Sequence, residues 1–170
     1  MTAYAHPESL VDLDWVTRNG ADPKIRIVEV DVDTTAYATG HMPGAVAFNW
    51  QTQLQDAVRR DVVSREDFER LLGQAGIDRD TTVILYGDNN NWFAAYAYWL
   101  FHYYGHKNVK LLNGGRKKWL AEARPLEMET PKPTPATYRV QETIPSIRAF
   151  RDEVLSITKG AFPGSALVDV

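Results

Sequence analysis

Thr82-Val83-Ile84-Leu85-Tyr86-Gly87-Asp88-Asn89-Asn90-Asn91-Trp92, running on into the aromatic stretch Phe93 to Tyr104, is the passage on which the reading of this chain turns. Val83, Ile84 and Leu85 stand together without a polar break, as expected of a strand buried on both faces. Gly87 opens a polar loop, and the residues after it form a strongly apolar helix that Gly105 ends. A second apolar stretch, Val109-Lys110-Leu111-Leu112, reads as the next strand. Strand, loop, helix and strand in this order predict an open, mostly parallel α/β sheet. In such a sheet ligands gather at the loops beyond the carboxyl ends of the strands. A loop entering a helix also offers backbone N–H groups and a positive dipole end, which suits an anion.

On the amino-terminal side, Leu10, Leu13 and Trp15-Val16 predict a short amphipathic helix ending near Asn19-Gly20. Ile25 to Val30 alternates apolar and polar residues and reads as a strand ending at Asp31. Asp33 to Gly40 reads as a helical turn with Tyr37 inward, and Pro43-Gly44 as a tight turn before a brief strand at Val46-Ala47-Phe48. Gln51 to Asp61 is polar and reads as irregular. Ser64 caps a helix with Glu66 and Asp67 in its first turn and an apolar stripe of Phe68, Leu71 and Leu72; Gly76 stops it.

On the carboxyl-terminal side, Asn113-Gly114-Gly115 leads into a short helix around Lys117 to Ala121, with Trp119 expected in the core. Arg116, Lys117 and Lys118 read as a solvated basic face. From Arg124 the composition shifts: Pro125, Pro131, Pro133 and Pro135 mark an extended linker without a core of its own. A helix from Ser146 to about Ile157, a Gly/Pro loop and a strand beginning at Ala166-Leu167-Val168-Asp169-Val170 then repeat the order at the front of the chain. The expected organisation is a first domain over 1–123, a linker over 124–143, and the opening elements of a second copy over 144–170.

Composition narrows the function classes. A net charge of -3 and a pI near 5.8 leave no basic stripe for nucleic acid. No run approaches the roughly 20 apolar residues of a membrane span. No basic-then-apolar leader is visible, so a cytoplasmic protein is expected. Cys is absent, which removes disulfides, thiolate metal sites and any cysteine nucleophile from this chain. His6, His41, His102 and His106 make no metal-ligand pattern. His102 and His106 read as surface or capping residues, and His41 as a turn-bonding residue rather than a base. No cofactor and no metal are expected.

Four stretches carry a family resemblance. Gly40-His41-Met42-Pro43-Gly44-Ala45, Val83-Ile84-Leu85-Tyr86-Gly87-Asp88, Tyr104-Gly105-His106-Lys107-Asn108-Val109 and Leu112-Asn113-Gly114-Gly115 with Trp119 resemble, in order and spacing, the first half of two-domain rhodaneses, the thiosulfate sulfurtransferases. The resemblance runs from about Leu10 to Val170. It implies a rhodanese-like three-layer α/β fold, a central mostly parallel sheet with helices on both faces. It also implies a chemistry: sulfane sulfur passes from thiosulfate to cyanide or another thiophile through a cysteine persulfide at a helix N-terminus, in the second domain. Counting back from Gly105, Asp88 falls at the cysteine-equivalent position, which matches the inactive first half.

What the resemblance implies for this chain is a structural half that completes the active-site cleft of a second rhodanese domain in the same polypeptide. The small-molecule sulfur donor and acceptor would enter there. Asp88 is read as locking its loop; it could serve as a nucleophile, but a carboxylate cannot carry sulfur as a persulfide does. Trp92 and Phe93 are expected at the face between the domains, because aromatics with one open side favour interfaces. Trp50 is placed on the same face. Asn89, Asn90 and Asn91 either line the mouth of the neighbouring site or simply form the turn. The alternatives are a free-standing, catalytically inactive binding or regulatory module and, last, a phosphatase using the same loop.

Overall fold

The computed structural model describes residues 4–59, 61–162 and 164–168. Five strands, β1 (Leu10–Val11), β2 (Ile25–Glu29), β3 (Val46–Ala47), β4 (Thr82–Tyr86) and β5 (Val109–Leu112), form one sheet in the order β1-β5-β4-β2-β3. Every neighbouring pair is parallel, as between Glu29 and Tyr86 or Leu85 and Leu111. The strand read from Val83-Ile84-Leu85 is the middle one, and Val83 to Tyr86 are fully buried.

Side chains alternate between two cores because successive residues of a strand point to opposite faces. Val28, Val83, Leu85 and Val109 face the larger core, against α3 (Arg65–Gln74) and α4 (Trp92–Tyr103). Ile27, Ile84, Tyr86 and Leu112 face a smaller core closed by α1 (Leu13–Asn19) and α5 (Gly115–Ala121), where Trp119 is buried. Helices on both faces of a parallel sheet make the expected three-layer α/β fold. Caps fix the helix starts: Asp12 accepts from Trp15 N at 2.6 Å and Ser64 from Asp67 N at 3.1 Å.

Several local readings change. Leu10 lies in edge strand β1, not in the first helix. The polar stretch after Phe48 contains one helical turn, α2 (Trp50–Gln53), capped by Asn49 through Gln51 N. The last helix, α6 (Arg151–Thr158), starts five residues beyond Ser146. Residues 166–168 carry no strand, and Asp169 and Val170 lie outside the described residues.

His106 is not a surface residue: it is 1% exposed. Its Nε2 lies 3.1 Å from the Thr81 carbonyl, which can only accept, so Nε2 carries the hydrogen and Nδ1 accepts from the Tyr138 hydroxyl at 3.2 Å. His41 is likewise buried, with its ring nitrogens 3.1 and 3.2 Å from the carbonyls of Tyr37 and Glu129. The proline-rich segment has no regular element, yet Tyr138 and Val140 complete the larger core and Ala136 N donates to Gly73 O at 2.8 Å. It lies along the first domain as a strap. No helix among the described residues is long and apolar enough to cross a membrane.

Candidate functional site

The strand order places the site. From β2 the chain moves outward to β3, whereas from β4 it moves the other way to β5. The loops beyond β2 and β4 therefore diverge, and the space between them is the switch point where parallel sheets take ligands. Asp88 stands there at the head of the loop. Its Oδ1 accepts from Val32 N at 2.6 Å and its Oδ2 from Asp33 N at 3.0 Å. In return Asp88 N donates to Asp31 Oδ1 at 2.7 Å. The expected locking role is right in kind, but the N–H groups belong to the loop beyond β2 rather than to Asp88's own loop.

Asn89, Asn90 and Asn91 all have positive φ, at 40°, 58° and 67°. Three consecutive non-glycine residues in the left-handed region are strained, and Asn is the residue type that tolerates it best. The Asn91 carboxamide fastens the loop from both ends: Oδ1 accepts from Gly87 N at 3.0 Å and Nδ2 donates to Leu112 O at 2.7 Å. Of the two roles considered for these residues, Asn91 takes the turn-forming one, while Asn89 and Asn90 are exposed at the tip. Gly115 allows the loop to lie so close. It has φ +54°, and a Cβ there would stand 2.8 Å from Gly87 O and press on the Asn91 carboxamide.

Beyond the loop an aromatic ladder begins. Trp50 and Phe93 stack at 3.9 Å between centroids, 11° from parallel, and Trp92 lies 6.1 Å from Phe93. The structure thus brings Trp50, Trp92 and Phe93 together although Trp50 is remote in sequence. Trp92 is 65% exposed. The ladder continues along α4 through Tyr96, Trp99 and Tyr103. With Ile147 and Arg148 it walls a groove of about 430 Å³.

Beneath the loop lies a buried polar cluster that the sequence reading missed. Glu29, 1% exposed, pairs with Arg116 and accepts from the Tyr86 hydroxyl. Arg116 also donates to Gly40 O at 2.6 Å and Ala36 O at 3.1 Å, and its own N–H reaches Gly87 O at 2.9 Å. It is a buried clamp, not part of a solvated basic face. Asp31 is 4% exposed; burial, and then the neighbouring Glu29 carboxylate, push its carboxyl up to about 8. Burial first, then Glu29, also hold the Tyr86 phenol well above its ordinary range. The available signal was two acids at the end of a strand already read as buried, with a single arginine in reach.

The fold and the site define a parallel-sheet α/β domain whose ligand-side loop sits where such domains hold an anionic reacting group, here occupied by a carboxylate tied to backbone N–H groups. Residues 12–122 match the rhodanese-like domain. The chain belongs to the rhodanese family. It is 54% identical over 168 residues to the sulfur carrier protein TtuD of Thermus thermophilus, covering 98% of this chain and 59% of that protein. It is 55% identical over 163 residues to a putative thiosulfate sulfurtransferase of Saccharopolyspora erythraea, covering 96% and 57%. Among solved structures, SseA of Escherichia coli, described as a 3-mercaptopyruvate sulfotransferase, superposes with a TM-score of 0.81 at 23% identity, covering 90% of this chain and 62% of that one. The last likeness concerns the fold. The chain spans under three fifths of the length of these two curated relatives.

Proposed function

We propose that this chain is the cysteine-less half of a tandem rhodanese, and that its loop face completes the active-site cleft of a catalytic second half. In that reading a cysteine thiolate of the second half attacks the outer sulfur of thiosulfate, and the S–S bond breaks as sulfite departs. The resulting persulfide then passes its terminal sulfur to cyanide, giving thiocyanate and regenerating the thiolate. The present chain supplies no nucleophile. It supplies a rigid wall in which Trp92, Asn89 and Asn90 are presented and Trp50 and Phe93 back them.

One observation carries the reading: the position equivalent to the family's cysteine is Asp88, and both of its carboxylate oxygens are already engaged by Val32 N and Asp33 N in a chain that contains no Cys. A group so committed shapes a loop and does not attack a substrate. The exposed Trp92 fits the wall role.

The test is to incubate the chain alone with thiosulfate and cyanide and follow thiocyanate, beside the longer parent protein. The expected result is turnover by the parent and none by the chain. Clear turnover by the chain alone would overturn the passive role. A free-standing binding module would present Trp92 equally well; a coding sequence that stops after Val170 would favour it, and one that continues into a domain with a Cys loop would favour the enzyme.

A further inference from the structure

The reciprocal bonds between the two loops rest on a group that the sulfur-transfer reading does not use. Asp31 Oδ1 accepts from Asp88 N at 2.7 Å, and its carboxyl also meets the Glu29 carboxylate, two residues earlier on the same strand face. Glu29 cannot move away, because Arg116 and the Tyr86 hydroxyl pin it inside the smaller core. Two carboxylates in such a place repel unless one proton is shared between them.

We propose that Asp31 is a positioning residue for the Asp88–Asn91 loop: as a neutral acid it donates to Glu29 and accepts from Asp88, and loss of that one proton unlatches the loop. The groups around it are Glu29 from β2, Tyr86 from β4, Arg116 from α5 and Asp88 from the loop itself. The Asp33 carboxylate is turned away onto Thr35, accepting from its N–H at 3.0 Å and its hydroxyl at 2.7 Å. Only Arg116 is cationic, and its charge is already committed to Glu29. An ionised Asp31 therefore gains no counter-ion, and of its neighbours the loop is the one free to shift.

The loop is built to respond. Its three left-handed asparagines are held against strain by the Asp31–Asp88 bonds at one end and by the Asn91 carboxamide at the other. Releasing the first end frees Val32 N and Asp33 N and changes the angle at which Asn89, Asn90 and Trp92 are presented. The proposal concerns the shape of the loop and holds whether or not the chain is half of a sulfurtransferase.

The test is an NMR titration of this chain from pH 5 to 10, following the Asp31 side-chain carboxyl carbon and the amides of Val32, Asp33, Asp88 and Asn89. The expected result is one shared midpoint near 8, where burial and Glu29 hold the carboxyl. Asp31→Asn keeps one donor and one acceptor in the same shape, so its loop amides should stay at their neutral-pH positions across the range. An Asp31 carboxyl that ionises below pH 5, or loop amides that still titrate near 8 in Asp31→Asn, would overturn the proposal. Should the variant fail to fold, the wild-type carboxyl midpoint decides by itself.

Discussion

Asp31 and His106 are buried ionisable side chains displaced in opposite directions, and together they fix how folding depends on pH. Burial, then Glu29, push Asp31 up to about 8, so the folded chain keeps a proton that the unfolded chain gives up in the ordinary carboxyl range. The stability this adds is complete at acid pH and is lost as pH rises through 8. Burial pushes His106 down to about 4 from an ordinary 6.5, so the unfolded chain takes up a proton that the folded chain refuses; that stability is lost as pH falls through this window. Each group contributes a slope of about 1.4 kcal/mol per pH unit. The two oppose one another below 6.5, and only the Asp31 slope acts between 6.5 and 8. Urea unfolding should therefore show stability falling by about 1.4 kcal/mol per unit from pH 6.5 to 8, and Asp31→Asn should flatten that limb. Beside them, Arg116→Ala would leave Glu29 buried and unpaired, a loss of about 3–5 kcal/mol. Arg116→Met combined with Glu29→Gln should lose less than Arg116→Ala alone, and denaturant midpoints measure the difference. None of these roles was legible in the sequence. Arg116 sits in an Arg-Lys-Lys run that reads as solvated, and its partner is 87 residues away. Asp88 was legible because its place at the end of the most apolar strand fixes where it must stand, whatever it bonds.

The helices and inner strands were legible because each carries a local signal strong enough to outweigh context. Ser64 with Glu66 and Asp67 starts α3, and an unbroken apolar triplet makes β4. The elements that escaped lacked such a signal. β1 is two residues long and exists only because Leu10 and Val11 pair with Leu111 and Leu112. The single turn of α2 has no apolar stripe of its own and rests on the Asn49 cap. The strap escaped for a related reason: a proline-rich segment gives no periodicity, so nothing announces that Tyr138 and Val140 are core. Gly73 on α3 admits it, since a Cβ there would stand 2.7 Å from Ala136 O. Two substitutions separate these contributions. Ser64→Ala removes only a cap bond and should cost about 1 kcal/mol. Tyr138→Ala empties a site that is 1% exposed and also removes the donor to His106, and should cost about 3–5 kcal/mol. Thermal unfolding of the two variants ranks them; equal losses would mean that the strap adds nothing to the domain it crosses.

At the scale of the whole molecule the chain divides into a part that buries itself and a part that does not. Residues up to the strap close two cores. Past it, the chain touches the domain through Ile144 N on Tyr103 O at 2.8 Å, Trp99 Nε1 on Ile147 O at 3.0 Å, and Arg148 between Asp61 and the rings of Tyr103 and Phe150. After that anchor α6 buries none of its residues, and Phe162, Leu167 and Val168 are 50%, 56% and 75% exposed. An eight-residue helix without tertiary packing is marginal in water. Its apolar side chains need a surface that this chain does not provide, and the tandem reading supplies one in the second half. Hydrogen exchange gives the comparison. In this chain alone, the amides of Arg151 to Thr158 should exchange within about tenfold of unstructured peptide, while those of β4 are protected at the level of global unfolding. In the longer parent the same α6 amides should gain protection of several orders of magnitude, and the fluorescence of exposed Trp92 should move to shorter wavelength as its face is covered. Equal exchange of α6 in both proteins would mean that this helix packs on nothing further, and the tandem reading would fail at the first element it assigns to the second half.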